Sequence, residues 1–295
     1  MITDVLSTVV GVILPVFALV AVGYAYTRHY RPDFAETNQL NMTVFLPALI
    51  LYAILDRAED FSGQLPLAFA GALIIAGSGL LALPVCRFLK EDWRTVLPPT
   101  MFNNAGNLAI PLMVLTFGEE ALPAAVVLFL VQTVGQFLVS PLLIGGRLSV
   151  VELLRMPMLQ AALLGAVLAT TDVSLPGPVM TTLEMAAAVG IPLLLVSLGA
   201  RLASTSLHHW RLGAVVGVLC PATSVVVMVA IAPWFALDPM QEGVLFIFAV
   251  LPPAVMSYVI AEQFRQEPEK VASIVIVGTL MSALTLPLAV AYVMM

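Results

Sequence analysis

Apolar residues occur along this chain in runs long enough to cross a membrane, and short polar stretches separate the runs. A helix needs roughly 20 apolar residues to span about 30 Å of hydrocarbon. By that measure the pattern predicts ten spans, five in each half of the chain. The predicted spans lie at roughly residues 5–26, 37–55, 66–87, 95–117, 121–144, 157–172, 178–200, 211–235, 243–263 and 271–293. The runs are too continuous, and their connections too tight, for a β-barrel, so we expect an all-α membrane protein.

Composition supports the same class. Hydrophobic residues make up 61 % of the 295 residues and charged residues only 10 %, whereas a soluble domain carries roughly 25 % charged residues. Such a chain cannot cover a water-exposed surface with polar groups. We therefore expect a multi-pass protein of the cell (inner) membrane with the lipid bilayer as its partner and no nucleic acid. The net charge of −6 says less than the placement of the charges.

The basic residues fall almost entirely on one side of the predicted spans. Eleven of the twelve lie in the odd-numbered connections or at their edges, and only Arg57 lies on the other side. The eleven are Arg28, Arg31, Arg87, Lys90, Arg94, Arg147, Arg155, Arg201, Arg211, Arg265 and Lys270. The positive-inside rule places these connections in the cytoplasm and both termini outside.

The two halves of the chain repeat each other with an offset of about 145 residues. Pro47 in span 2 corresponds to Pro192 in span 7, and Pro141 in span 5 corresponds within one residue to Pro287 in span 10. Each half has an odd number of spans, so the second half enters the membrane inverted. We predict repeats at residues 1–146 and 147–295. Inverted repeats with interrupted helices at matching places are typical of secondary transporters.

Polar and helix-breaking residues interrupt spans 4 and 9. Span 4 contains FNNAGNLAIP, with Asn103, Asn104, Asn107 and Pro111, and span 9 contains FAVLPPAVMS, with Pro252, Pro253 and Ser257. Because proline lacks an N–H and its ring clashes with the preceding turn, we expect span 4 to break near residues 107 to 110. Freed backbone groups at that depth must be satisfied by protein or trapped water.

Each break starts a new half-helix whose positive end faces the membrane centre. Two such ends form a site suited to a carboxylate without a buried lysine or arginine. The alternative interpretation is that these residues only kink helices or join them.

Other polar residues in the spans have two interpretations each. Gln132 and Gln136 lie four apart on one face of span 5, and either line the site or bond neighbouring helices. Glu184 in span 7 either couples an ion or lies solvated at the outer boundary. Glu262, with Gln263 beside it, either couples an ion or forms a surface ion pair. The expected coupling ion is Na⁺ or H⁺, and we predict no catalytic residues, cofactor or metal site.

The segments NNAGNLAIPLMVLTFG, LPPAVMSYVIAEQF and GTLMSALTLP resemble the auxin efflux carrier family over the whole length of the chain. The resemblance implies a fold like that of the bile acid/sodium symporters, with crossover helices in spans 4 and 9. It implies a scaffold of spans 1, 2, 6 and 7 and a transport domain of spans 3–5 and 8–10 that moves as an elevator. It also implies a homodimer.

Carried over by position, Asn104 matches the asparagine that meets the substrate carboxylate in the plant carriers, and Asn107 matches a second asparagine of microbial members. Pro111 and Pro252 match the crossover prolines. Ala109 departs from the glycine of many members, and only a short segment separates the halves where plant carriers have a long hydrophilic loop. Small carboxylates such as malate or malonate are therefore expected rather than auxin.

Three functional hypotheses follow. The first is a secondary carrier that exports a small organic anion by alternating access, and the second is a sodium-coupled importer on the same fold. The third, an intramembrane enzyme, lacks a histidine in a span, an aspartate pair or an Asp-rich motif. A receptor or channel would leave the paired breaks unexplained.

Overall fold

The computed structural model describes residues 2–146, 150–171, 175–204 and 208–295. Arg147 and the predicted boundary between the halves lie outside these residues. Within them the regular secondary structure is helical, with one isolated β-bridge. The protein is therefore all-α over the described ranges, as predicted.

Fifteen α-helices are present in the described part of the chain. They are α1 Ile2–Tyr30, α2 Ala35–Leu40, α3 Leu46–Asp56, α4 Ala58–Phe61, α5 Leu65–Leu89, α6 Trp93–Met101, α7 Ile110–Phe117, α8 Leu122–Ile144, α9 Val150–Leu154, α10 Pro157–Ala169, α11 Gly177–Ser204, α12 Trp210–Ile231, α13 Pro239–Val250, α14 Val255–Gln263 and α15 Pro268–Val293. Two π-helical turns, Asn41–Phe45 and Ala105–Ala109, join α2 to α3 and lead into α7.

Seven helical stretches in the described residues are long and apolar enough to cross a membrane. They coincide with seven of the ten predicted segments. The remaining three segments contain the shorter apolar helices at 105–117, 157–169 and 239–250. Two of these belong to the interrupted spans 4 and 9, where a chain break in the middle leaves each half too short to count alone.

The break in span 4 lies earlier than the prolines led us to expect. Helix α6 ends at Met101, Phe102 is extended, and a new helical segment begins at Ala105. The prediction of a break at residues 107 to 110 was wrong because the chain passes Pro111 with a wide π-helical turn. Pro111 then takes a place in the first turn of α7, where its missing N–H costs little.

The helices pack in two groups. In the first group α11 contacts α1 and α3, and α3 contacts α10, while α5, α6, α8 and α12 to α15 form the second group. Within the first group the backbones of α1 and α11 touch at two glycines. A Cβ on Gly23 would lie 2.0 Å from the carbonyl oxygen of Val196, and one on Gly199 would lie 1.9 Å from that of Val20. Small residues permit this approach, as in many membrane helix pairs.

A polar network ties the start of α6 to the start of α15. The Thr95 hydroxyl donates to Glu267 Oε2 at 2.6 Å, and Lys270 Nζ lies 2.7 Å from Glu267 Oε1 and 2.8 Å from Glu91 Oε2. Burial opposes ionisation of Glu267, but the hydrogen bonds from Lys270 and Thr95 outweigh it and lower the pKa of this carboxyl. The network holds two distant parts of the chain together.

The start of α13 is tied to the other half in a similar way. Asp238 caps α13 in a capping box with Gln241. The Gln241 amide nitrogen also donates to the Gly63 carbonyl at 3.2 Å and to Gln64 Oε1 at 3.1 Å. The first residues of both interrupted spans are thus held in place by residues from the opposite half of the sequence.

Candidate anion-binding site

The two breaks meet and pair with each other. The backbone N–H of Asn104 donates to the Pro252 carbonyl at 2.8 Å, and the N–H of Ala254 donates to the Phe102 carbonyl at 2.8 Å. These bonds form an antiparallel bridge between Asn103 and Pro253. Extended backbone at this depth needs partners in the protein, and here each break supplies partners to the other.

Side chains satisfy further backbone carbonyls around the crossing. Asn103 Nδ2 donates to the Phe248 carbonyl at 2.6 Å, and Gln132 Nε2 donates to the Asn103 carbonyl at 2.9 Å. The Cys220 thiol donates to the Leu251 carbonyl at 3.7 Å. The side chains of Asn103 and Gln132 thus supply hydrogen-bond donors to main-chain carbonyls at the crossing.

A cavity of about 80 Å³ lies beside the crossing, and we call it the central cavity. Its wall includes the first residues of both half-helices, which are Ala105, Gly106 and Asn107 from span 4 and Ala254, Val255 and Met256 from span 9. Helix N-termini carry positive partial charge and unpaired N–H groups. Helix α14 begins without a side-chain cap, whereas the Asn104 side chain caps the segment that begins at Ala105. The positive partial charge of both helix ends favours an anion in the central cavity.

Several buried polar atoms at the central cavity have no hydrogen-bond partner. They are Asn104 Nδ2, Asn103 Oδ1, Gln132 Oε1, Asn41 Oδ1 and Ser197 Oγ. An unpaired buried polar group costs about 1–3 kcal/mol, and such groups gather where a ligand or water completes them. Asn104 Nδ2 is the donor among the amide atoms, since the Asn104 oxygen accepts from the Asn107 N–H at 3.3 Å.

Arg201 lines the central cavity, which corrects the prediction that the site contains no basic residue. The sequence placed Arg201 in a cytoplasmic connection because the apolar run ends at about residue 200. Helix α11 instead continues to Ser204 and keeps Arg201, which is partly buried, inside the bundle. Its spacing of four residues from Ser197 puts both side chains on one face of α11, a signal that could have identified it.

The structure adds two asparagines that the sequence prediction missed. Asn38 and Asn41 in span 2 line the central cavity, and Asn41 Nδ2 donates to the Gly190 carbonyl on α11 at 3.3 Å. Asn41 opens the π-helical turn that precedes Pro47, as Asn107 lies in the turn that precedes Pro111. An asparagine a few residues before a proline is the sequence signal common to both places.

The predicted site residues divide into two sets. Those that line the central cavity are Asn103, Asn104, Asn107, Gln132 and Gln136. Those that do not line it are Pro111, Pro252, Pro253 and Ser257, all of them buried. Gln136 Nε2 donates to the Ser257 hydroxyl at 3.1 Å, so Gln132 and Gln136 both line the cavity and bond across helices. The two interpretations of these glutamines are therefore compatible.

The predicted ion-coupling residues lie away from the central cavity. Glu184 is exposed beside a separate cavity of about 370 Å³ that Asp56, Arg57 and Glu119 also line. Glu262 and Gln263 are exposed near the end of α14, and Glu262 accepts a hydrogen bond from the Tyr258 hydroxyl at 2.9 Å. The structure therefore brings none of the three into the site formed by the asparagines.

Comparison with known proteins gives two matches. Residues 145–290 match the model of a family described as "Membrane transport protein". Over 312 aligned residues the chain is 23 % identical to a protein of Rhizobium meliloti (strain 1021) named "Putative malonate transporter". That alignment covers 95 % of this chain and 94 % of the relative. Both matches agree with the resemblance found in the sequence motifs.

Proposed function

The chain belongs to the auxin efflux carrier family of membrane transport proteins, and on that premise we propose that it is a secondary carrier that exports small carboxylates. One observation supports this most: the unpartnered Asn104 amide donor, two half-helix N-termini and Arg201 all face one cavity. Every one of these groups favours negative charge. A membrane-embedded site of this polarity suits an organic anion.

The size of the central cavity and the name of the relative narrow the substrate. A cavity of about 80 Å³ is well above the roughly 10–15 Å³ that one water needs, so it has room for a small solute. A short carboxylate such as malonate is of this size, and the relative from Rhizobium meliloti is named for malonate transport. We therefore propose short carboxylates as the substrate class.

The proposed architecture has ten spans in two inverted repeats. Helix α5 begins at residue 65 and α12 at 210, and α8 begins at 122 and α15 at 268. Asp92 caps α6 as Asp238 caps α13. The Asn103 side chain bonds the carbonyl of Phe248, which lies 145 residues later. A contact between equivalent positions is expected where a pseudo-two-fold axis passes through the site.

The proposed mechanism is an elevator movement between two groups of helices. The group of α1, α3, α10 and α11 corresponds to the scaffold, and the group that contains both crossovers corresponds to the transport domain. The hydrogen bonds at the starts of α6 and α13 favour movement of the proposed transport domain as a unit. In this proposal the scaffold also forms a homodimer, and both termini face the outside.

A second candidate function is sodium-coupled import on the same fold. Its support is the pair of unpartnered oxygens Asn103 Oδ1 and Gln132 Oε1, which lie buried at the crossover. Oxygen ligands from interrupted helices coordinate sodium in other transporters. Uptake into proteoliposomes that requires a sodium gradient supports this candidate, whereas voltage-sensitive flux without sodium rejects it.

The main test of the site is the substitution Asn104→Ala. It removes the unpartnered donor without removing a bond to another helix, so we expect carboxylate binding to be lost while the protein keeps its fold. Isothermal titration of the purified protein with malonate measures the affinity, and flux from loaded proteoliposomes measures export.

The matched control is Gln160→Ala, which changes an exposed amide outside the central cavity. We expect its affinity for malonate and its melting temperature to equal those of the unmodified protein. Unchanged affinity in the Asn104 variant contradicts the site assignment. Loss of affinity in both variants to the same degree contradicts it as well, since the exposed amide then matters equally.

A further inference from the structure

The central cavity has two polar walls that belong to different groups of helices. One wall carries the crossover, with the Asn104 amide donor and the half-helix N-termini. The other wall belongs to α11 and carries Ser197 and Arg201, one helical turn apart. The Ser197 hydroxyl is buried and has no partner. Donors therefore face the cavity from two separate elements.

A single carboxylate can be bound by the crossover wall alone. A carboxylate at the crossover meets neutral donors, namely an amide and the main-chain N–H groups of helix ends. A guanidinium is a full positive charge with a planar fork that fits a second carboxylate in a bidentate manner. A monocarboxylate bound at the crossover leaves the charge on the α11 wall without a partner on the substrate.

We infer that Ser197 and Arg201 form a subsite for the second carboxylate of a dicarboxylate, so that the carrier selects short dicarboxylates over monocarboxylates. This inference rests on the proposed function. The selection follows from charge: the second carboxylate gains a charge-assisted contact that an ester or methyl group cannot make. Arg201 is thus a specificity-determining residue on the scaffold side, whereas Asn104 holds the carboxylate common to all substrates.

Arg201 also has neighbours that hold its position. It lines a second cavity of about 310 Å³ together with Tyr258, and the Tyr258 hydroxyl donates to Glu262. Glu262 interacts electrostatically with Arg201. If Arg201 only stabilises its contacts with Tyr258 and Glu262, its substitution should weaken the binding of all substrates equally. The binding role predicts an effect on dicarboxylates alone, and this difference makes the two roles separable.

The test compares malonate with its monomethyl ester, which has the same chain length and one carboxylate. Titration of the full-length protein is expected to show tighter binding of malonate. Arg201→Gln should weaken malonate binding by about tenfold to a hundredfold, because a charge-assisted contact is lost, and should change binding of the ester by less than about threefold. Arg201→Lys keeps the positive charge but loses the planar guanidinium. The malonate affinity of this variant should therefore lie between that of the unmodified protein and that of Arg201→Gln.

Arg211→Gln is the matched control, since Arg211 is exposed at the start of α12, and it should leave both affinities unchanged. If the unmodified protein binds both compounds equally, or if Arg201→Gln weakens both equally, the second-carboxylate subsite is wrong while the carrier proposal stands. If the unmodified protein binds neither compound nor any other carboxylate, the carrier proposal fails and the subsite falls with it.

Discussion

Adjacent asparagines at the crossover have different tasks. The Asn103 side chain bonds the Phe248 carbonyl across the break, whereas the Asn104 side chain accepts only a local bond from the Asn107 N–H and leaves its own N–H₂ group unpartnered. The first residue joins two helices and the second faces the cavity with a free donor. Residue type and hydropathy do not separate them, because both are amides in one apolar stretch; only the family resemblance distinguished Asn104.

This difference predicts opposite effects on stability. Asn103→Ala leaves the buried Phe248 carbonyl without its donor, so we expect a loss of about 1–3 kcal/mol in the free energy of unfolding. Asn104→Ala should change stability far less. Thermal unfolding of both variants in the same detergent measures the difference. Equal melting temperatures for the two variants would show that the bond between Asn103 and Phe248 contributes nothing.

The missed arginine shows where residue-level prediction fails. Hydropathy places Arg201 just past the end of an apolar run, and a basic residue at that point is normally a loop residue. Helix α11 continues for one more turn, and the direction of a side chain depends on the neighbouring helices rather than on its own segment. The asparagines of span 4 were predictable because polar amides in the middle of a long apolar run are conspicuous in the sequence itself, whereas Asn38 and Asn41 lie near the start of span 2 and were missed.

At the scale of the helices, the prolines indicated which spans are interrupted but not where. Pro111 follows a π-helical turn and Pro47 follows another, each turn ending two residues before the proline. A π-helical turn accommodates the missing N–H and the bulky ring of proline, so the helix need not break at the proline. The actual break depends on pairing with the other crossover, a contact about 150 residues away that no local pattern contains.

The packing of α1 against α11 gives a prediction at the same scale. Gly23→Ala places a Cβ within 2.0 Å of the Val196 carbonyl oxygen, so the two backbones must separate. We expect a loss of about 1–3 kcal/mol, which is typical of overpacking, and a lower melting temperature.

Gly11→Ala is the matched control on the same helix, because a Cβ there meets nothing within 4 Å. Alanine favours a helix over glycine by up to about 1 kcal/mol, so this variant should be as stable as the unmodified protein or more so. A Gly23 variant that melts together with the Gly11 variant contradicts the close contact between α1 and α11.

At the scale of the whole molecule, the fold class followed from composition and the length of the apolar runs. Seven long helices and three shorter apolar ones occupy the ten predicted segments within the described residues. The meeting of the two crossovers had only an indirect sequence signal, namely the offset of about 145 residues between the halves. That offset predicts which segments correspond, while their contact at the centre depends on the packing of the helices.

The proposed orientation is testable by cysteine labelling from either side of the membrane. Arg87 and Glu119 are exposed at opposite ends of the intervening span, so Arg87→Cys should react with an impermeant maleimide from the cytoplasmic side and Glu119→Cys from the outside. The native Cys86 and Cys220 are buried, so the unmodified protein should not label and is the control. Labelling of both variants from one side overturns the ten-span orientation.

The bridge between the two breaks consists of main-chain bonds alone. Substitutions exchange side chains but leave main-chain donors and acceptors in place, so the bridge itself does not depend on the side chains of Asn104, Ser197 and Arg201, which face the cavity. In the proposed carrier, the preferred substrate can therefore change through substitutions at Asn104, Ser197 or Arg201 while the fold is kept. The same property makes this crossover a fixed backbone frame, around which the proposed transport specificity can be redesigned one wall of the cavity at a time.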